Sequence, residues 1–457
     1  MLFKNKRKSL AESNAAIINL WILVRADRLM TMLKFLILLC VLFTIHDSFA
    51  GPLRNKYSLY LEIGAVKRFR EYIRIDTSQE ENIKHAVDFW VRQANELGLP
   101  YAVYAPAGKP IFVITVEGSD PSLPSIMLNS HMDVVKADES EWTYPPFAAY
   151  MDSNGDIFGR GTQDTKDVGI QYMEAIRRLR KNNITLARTL HVTIMPDEET
   201  GGKNGMKTFV KTKAFESLNV GFALDEGLSS MDSSLFATYV DRRPWQMEFT
   251  IYGEGGHGLA MPDGSAMEKA QNFINTVMEY RETQKQIMKT KNSSDYTGYS
   301  SVNINMLEGG LAVNIIPSKM KMAVDMRLAT DANVDEMQSL VDSWVQIAGN
   351  NTEIYYKRQE KVSEATAVDD SNPYWVTLKS TLNDMGIKVK PIVCPATSDM
   401  ISLRNRGIPA LGFTTKANTI GRLHAKDEYQ NVETFMKGID VYTQVIKNLG
   451  NLQPVKS

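Results

Sequence analysis

Leu190-His-Val-Thr-Ile-Met195 is an apolar and β-branched run, and Pro196-Asp-Glu-Glu-Thr-Gly-Gly202 follows it with no spacer. The run predicts a buried strand. Pro196 ends it, because proline has no N–H to give to a ladder. Asp197, Glu198 and Glu199 are thereby placed at the end of a buried strand. Carboxylates this close raise one another's pKa unless positive charge sits among them. A solvated acidic turn would have the same local composition, so the reading depends on what else the chain presents in this way.

Four other segments do so. Ser125–Ser130 reads as a strand running into His131-Met-Asp133, and at period two His131 and Asp133 face the same way. A carboxylate beside an imidazole fixes its tautomer and leaves the other ring nitrogen free for a metal. Phe158-Gly-Arg-Gly-Thr-Gln-Asp164 is a glycine-bounded loop that presents an acid ahead of a helix near 167–182. Phe222-Ala-Leu-Asp-Glu226 is a further strand ending in acids, and Gly421-Arg-Leu-His424-Ala-Lys-Asp-Glu428 comes last. Five strand ends or loops carrying His, Asp or Glu suggest one cluster at the C-terminal edge of a parallel sheet, where open α/β sheets bind ligands.

Composition sets bounds on this cluster. The chain has 457 residues, enough for two domains, with 43% hydrophobic and 23% charged residues. Its formal net charge is −1 and its body has no extended basic block, which argues against a nucleic-acid partner. Of two cysteines, Cys40 lies in the N-terminal apolar segment and Cys394 far from it. Oxygen and imidazole must therefore supply any metal ligands.

Along the chain, residues 1–56 look like a targeting segment. Phe35–Ile45 is a mostly apolar run behind Lys34, and Ser48-Phe-Ala50 resembles a small-x-small cleavage site. The run is short for a membrane span, so residues 30–50 predict entry into the secretory pathway, with an uncleaved membrane anchor as the alternative. Residues 57–100 carry helical periodicity, and 101–104 and 111–116 read as strands. Residues 57–240 alternate α and β, which predicts a mainly parallel sheet with helices on both faces. At Asp241-Arg-Arg-Pro-Trp the texture changes. Strands at 245–252 and 320–327 and helices near 266–290 and 333–349 predict an α+β insertion over 241–358. Residues 359–457 return to the first domain. Gly253-Glu-Gly-Gly-His-Gly258 fits a dinucleotide fingerprint, but Met261-Pro-Asp-Gly continues the loop where that motif needs a helix. The glycines are better read as letting the backbone turn tightly around His257.

The stretches SHMDVV (130–135), GRGTQDTK (159–166), PDEETGG (196–202), FALDEG (222–227) and LHAKDE (423–428) resemble, in order, the motifs of the M20 family of dinuclear zinc amidohydrolases and peptidases, most closely its aminoacylase-1 branch. The resemblance covers about Tyr57 to Leu449. It implies a zinc-exopeptidase-like α/β fold with an inserted α+β lid that also dimerises the protein. It implies two Zn2+ per subunit, the first on His131 and Glu226, the second on Glu199 and His424, with Asp164 bridging. Asp225 is the alternative to Glu226, since the family alternates Asp and Glu there. The Asp164–Thr165 peptide is implied to be cis. Glu198 is left as general base, taking a proton from the attacking water and passing it to the leaving nitrogen. Asp133 supports His131, and His257, from the lid of the partner subunit, stabilises the tetrahedral intermediate.

Asn314 and Arg327 match the family residues that bind the substrate carboxylate and acyl carbonyl, and Arg404 is a second candidate. The family's arginine two residues after the aspartate of a TD or SD pair is replaced here by Ile401. The resemblance thus implies hydrolysis of small-molecule N-acyl-L-amino acids to a carboxylate and a free amino acid. An M20 dipeptidase or carboxypeptidase, or a secreted binding protein with a decayed site, are the alternatives. Aminoacylase-1 relatives are mainly cytosolic, which gives the alternative to secretion.

Overall fold

The computed structural model describes Arg25, Met30, Met32, Lys34 and residues 56–453 other than Ser293 and Asn350. The apolar run, the cleavage-like site and the routing they imply lie outside the described residues. No helix among the described residues is long and apolar enough to cross a membrane. From Tyr60 onward the chain forms one compact unit.

Its main sheet has eight strands, in spatial order Tyr101–Tyr104, Ile111–Val116, Leu190–Met195, Ser125–His131, Val220–Asp225, Ala410–Phe413, Leu235–Asp241 and Val389–Cys394. The central four run parallel. The strand pair at one edge and the contact of Ala410–Phe413 with Leu235–Asp241 are antiparallel, and Val389–Cys394 is parallel to Leu235–Asp241. Leu190–Met195 and Ser125–His131 are buried along their whole length, as strands covered on both faces must be. On one face lie the helices Gly64–Ile73, Lys166–Lys181 and Val432–Gly450, where Phe69 stacks on Phe435 at 4.5 Å. Phe209, Phe215, Met400 and Leu403 cover the other face, against Met127, Met195 and Ala223.

Register decides where the site falls. His131 stands opposite Met195, and Leu128 opposite Leu224. The three parallel strands therefore end together, and Asp133, Asp197–Glu199 and Glu226 leave the sheet side by side. The Asp164–Thr165 peptide, just before the Lys166–Lys181 helix, is cis.

A second sheet of four antiparallel strands, ordered Ser301–Gly309, Lys319–Leu328, Arg243–Tyr252 and Thr352–Gln359, carries the helices Ala266–Lys289 and Val334–Ile347 on one face. Lys319–Leu328 buries Met320, Met322, Val324, Met326 and Leu328 at period two against Phe273 and Trp344. Ser265 and Glu268 close a capping box at the start of the first helix. Only Arg242 separates the last residue of the main-sheet strand, Asp241, from the first of this sheet, Arg243. The glycine-rich segment forms no phosphate cradle. A Cβ at Gly253 would meet the backbone of Ala266 at 2.0 Å, and Gly256–His257 pairs with Ile315–Ile316 in a two-stranded ribbon.

His191 is a buried member of the central ladder. Its Nε2 lies 3.1 Å from the Leu218 carbonyl and its Nδ1 3.1 Å from Thr115 Oγ1, and burial lowers its pKa to about 4. As pH falls below about 6.5 the unfolded chain protonates this imidazole while the folded chain leaves it neutral. Stability contributed above pH 6.5 is thus lost as pH falls toward 4, by about 3 kcal/mol. His191→Gln should lose about 3 kcal/mol less than the wild type between pH 7 and pH 4 in denaturant titrations. Parallel pH profiles would contradict this assignment.

Candidate metal centre and active site

Two groups of three ligand atoms meet at the C-terminal edge of the main sheet. His131, Asp164 and Glu226 form one, and Asp164, Glu199 and His424 the other, each with its ligand atoms within 4.8 Å of one another. His131 Nε2 lies 3.2 Å from Asp164 Oδ1 and 3.4 Å from Glu226 Oε2. His424 Nε2 lies 3.1 Å from Asp164 Oδ2 and 2.9 Å from Glu199 Oε2. Asp164 therefore turns one oxygen to each group. Of the adjacent acids, Glu226 takes part. Asp225 points into the sheet, accepting from Asn129 Nδ2 at 2.9 Å and from the Glu226 amide.

The surroundings hold these atoms in place. His131 Nδ1 lies 2.8 Å from the backbone carbonyl of Asp133, which leaves Nε2 as the free nitrogen. This corrects the expected role of the Asp133 carboxylate. The strand ends at His131, and the Asp133 carboxylate stands 3.7 Å from Nδ1. It accepts instead from the amides of Glu198 and Glu199, at 3.2 and 3.1 Å, and so fixes the acidic turn. Asp197 is the outer anchor of that turn, bound by Lys109 Nζ at 2.6 Å, by Thr200 and by the Asn204 amide.

Charge is out of balance here. Burial, and then Glu226, push the Glu198 carboxyl well above the usual range, and burial pushes Glu226 up as well. Burial raises Asp399 to about 8, with Asp225 beside it. Burial opposes protonation of His131, but the Asp164 and Glu226 contacts overcome it and raise its pKa well above the ordinary value. The Asp164 and Glu199 contacts raise His424 to about 10. Glu199 Oε1 is buried with no hydrogen-bond partner. Paired nitrogen and oxygen donors, excess buried carboxylate and an orphaned oxygen all fit divalent cations of the zinc type.

A cavity of about 190 Å³ opens beside the two groups. Glu198, Glu199 and His424 line its polar side, and Leu228, Cys394 and Leu423 its apolar side. Arg327 approaches the rim, its Nη1 3.4 Å from Oγ1 of Thr397, which also lines the cavity. His257 and Asn314 come together on the exposed ribbon, where Gly258 N donates to the Asn314 carbonyl at 2.8 Å, but neither lines the cavity. Arg404 is a correction. It is buried, donating to Asp241 Oδ1 at 2.9 Å and to the carbonyls of Ala410 and Thr238, so its guanidinium is committed to the core and not to a substrate in the cavity. Ile401 is buried too. Arg160, Gln163 and Glu428 lie within two of the motif stretches, and their side-chain partners are far away in sequence. The Glu428 carboxylate accepts from Arg160 and from the amides of Gly161, Gln163 and Asp164.

Two candidate metal-ligand groups thus stand at the edge of an α/β sheet, and residues 127–448 match the model of peptidase family M20/M25/M40. The chain belongs to that family. Among curated proteins it is 38% identical to aminoacylase-1 of Sus scrofa over 86% of this chain and 97% of that one, and 35% identical to aminoacylase-1 of Dictyostelium discoideum over 84% and 97%. Among solved structures it resembles an M20 family metallo-carboxypeptidase from Sulfolobus solfataricus (TM-score 0.70, 17% identity, 85% of this chain and 99% of that one). It also resembles human carnosine dipeptidase 1 (TM-score 0.68, 14% identity, 87% and 98%).

The two arginines should behave oppositely. Arg404→Met strands the buried Asp241 carboxylate and should cost about 3 kcal/mol or more of stability. Arg327→Ala should leave the melting temperature within a few degrees of the wild type and raise KM about tenfold or more. A stable Arg404→Met with raised KM would return Arg404 to the substrate.

Proposed function

We propose that the chain is an amidohydrolase that uses two Zn2+ per subunit to cleave the amide bond of N-acyl-L-amino acids, giving a carboxylate and a free L-amino acid. One observation carries this reading: Asp164 divides its oxygens between two nitrogen–oxygen groups while Glu198, on the adjacent cavity wall, belongs to neither. The extent of similarity to aminoacylase-1 sequences supports the substrate class.

His131 and Glu226 would hold the first ion, Glu199 and His424 the second, and Asp164 both. Bound there, paired zinc ions lower the pKa of water and polarise an acyl oxygen. Glu198 accepts a proton from the attacking water and delivers it to the leaving nitrogen. Its carboxyl lines the cavity beside both groups without belonging to either, which leaves it free to take a proton and give it up. Asp133 keeps Glu198 and Glu199 apart in direction by holding both amides. Arg327 supplies a planar pair of donors for the substrate carboxylate, and Leu228, Cys394 and Leu423 give apolar surface for a side chain or acyl group.

His257 and Asn314 complete the site in this reading through a homodimer. Leu259, Met261, Leu311 and Val313 beside them are strongly exposed, and Ser301–Gly309 is an open sheet edge. Apolar side chains clustered on one projecting ribbon suit burial against a second copy.

Assays of the purified chain with N-acetyl-L-methionine and with dipeptides separate the substrate classes. The expected result is preference for the N-acyl amino acid. Faster dipeptide cleavage would make the chain a dipeptidase on the same scaffold. Glu198→Gln should keep both ions and lower kcat by about 10³-fold or more. Normal turnover with the ions retained would remove Glu198 from the reaction.

A further inference from the structure

The two ligand groups are built on unequal supports. His131 is the last residue of a parallel strand, and Glu226 directly follows another. His424 lies in the segment 414–428, which contains neither helix nor strand. Its side chain is 55% exposed and its backbone φ is +60°, a conformation that residues with a side chain rarely take without an external hold.

That hold comes chiefly from the loop that presents Asp164. Arg160 Nη2 donates to the His424 carbonyl at 3.3 Å, and Nη1 to the Ala425 carbonyl at 3.1 Å and to Glu428 Oε2 at 2.8 Å. Gln163 Nε2 donates to the carbonyls of Ile420 and Tyr429, at 3.1 and 2.7 Å, while its Oε1 accepts from the Arg422 amide at 2.9 Å. Both side chains are buried. Elsewhere in the segment, Asp427 accepts from Thr143 at 2.8 and 3.0 Å, and Lys416 Nζ donates to the Gln163 carbonyl at 2.8 Å. None of the side-chain bonds of Arg160 or Gln163 reaches His131, Glu226 or the strands that carry them.

We propose that Arg160 and Gln163 are positioning residues for the second ion alone, carrying His424 to Asp164 by tying its irregular segment to Asp164's own loop. The proposal rests on the dinuclear reading above. It makes the first group a site whose two unshared ligands stand at strand ends. In the second, Glu199 follows a strand and His424 is brought in by hydrogen bonds between two loops. Residues that orient metal ligands without touching the metal typically change its affinity 10- to 100-fold when altered.

Gln163→Met is the sharper variant. It keeps volume and the backbone bonds to Glu428 while removing all three side-chain bonds to the 420–429 segment. Arg160→Lys keeps a charge for Glu428 but cannot span two carbonyls and a carboxylate as a guanidinium does. The full-length wild type, both variants and His424→Ala are stripped with a chelator and titrated with Co2+, followed by calorimetry and by the visible absorption of the bound ion. The expected result is two ions for the wild type. In each positioning variant one ion should bind within about threefold of wild type and the other about 10- to 100-fold more weakly, with the spectrum approaching that of His424→Ala. Two ions in the wild type with unchanged affinities in the variants would overturn the proposal and leave the dinuclear reading standing, as would equal weakening of both sites. One ion in the wild type would remove that reading and this proposal with it.

Discussion

Asp164 is the point on which the structure turns. Its carboxylate faces His131 and Glu226 with one oxygen and His424 and Glu199 with the other. No other described side chain belongs to both groups. Around it, Asp133, Glu198, Glu199, Asp225, Glu226 and Asp399 crowd into the end of a buried sheet. Asp133, Asp225 and Asp399 are buried and Glu198, Glu199 and Glu226 half-buried, so water solvates them poorly, and the two imidazoles are too few to balance them. Such a concentration of buried carboxylate is unfavourable on its own and becomes favourable when cations complete it.

Parallel strands make the crowding possible. Three of them stop at one level, so residues distant in sequence emerge side by side at the same edge. The supporting groups then divide the labour. The Asp133 carbonyl sets the His131 ring, its carboxylate sets the acidic turn, and Asn129 holds Asp225 and is itself fixed by Thr193 Oγ1 at 2.6 Å. Glu198 lines the cavity beside both ligand groups and belongs to neither, which is what the proposed role of gaining and losing a proton requires.

Much of this was legible in the sequence because the strands that carry the site are buried on both faces. Largely apolar and β-branched runs at 111–116, 125–130 and 190–195 read as buried strands, and an acid or histidine at the end of such a run is a local signal. The helices Ala266–Lys289 and Val432–Gly450 showed through their long periodicity. What was hidden depended on partners far along the chain. Ser301–Gly309 and Thr352–Gln359 are edge strands with many exposed side chains, so no continuous apolar run marks them in the sequence. Arg404 read as a substrate residue because nothing nearby shows that it is paired to Asp241, 163 positions away. Arg160 and Gln163 stand within a recognised motif, yet their function lies in carbonyls some 260 positions later.

Elemental analysis of the purified full-length chain, paired with its hydrolysis of an N-acyl amino acid before and after chelator dialysis, tests the central claim most directly. The account predicts two zinc ions per chain, loss of hydrolysis as they are removed, and its return as zinc is restored. A chain that carries no divalent ion and hydrolyses the substrate equally well in chelator would contradict it.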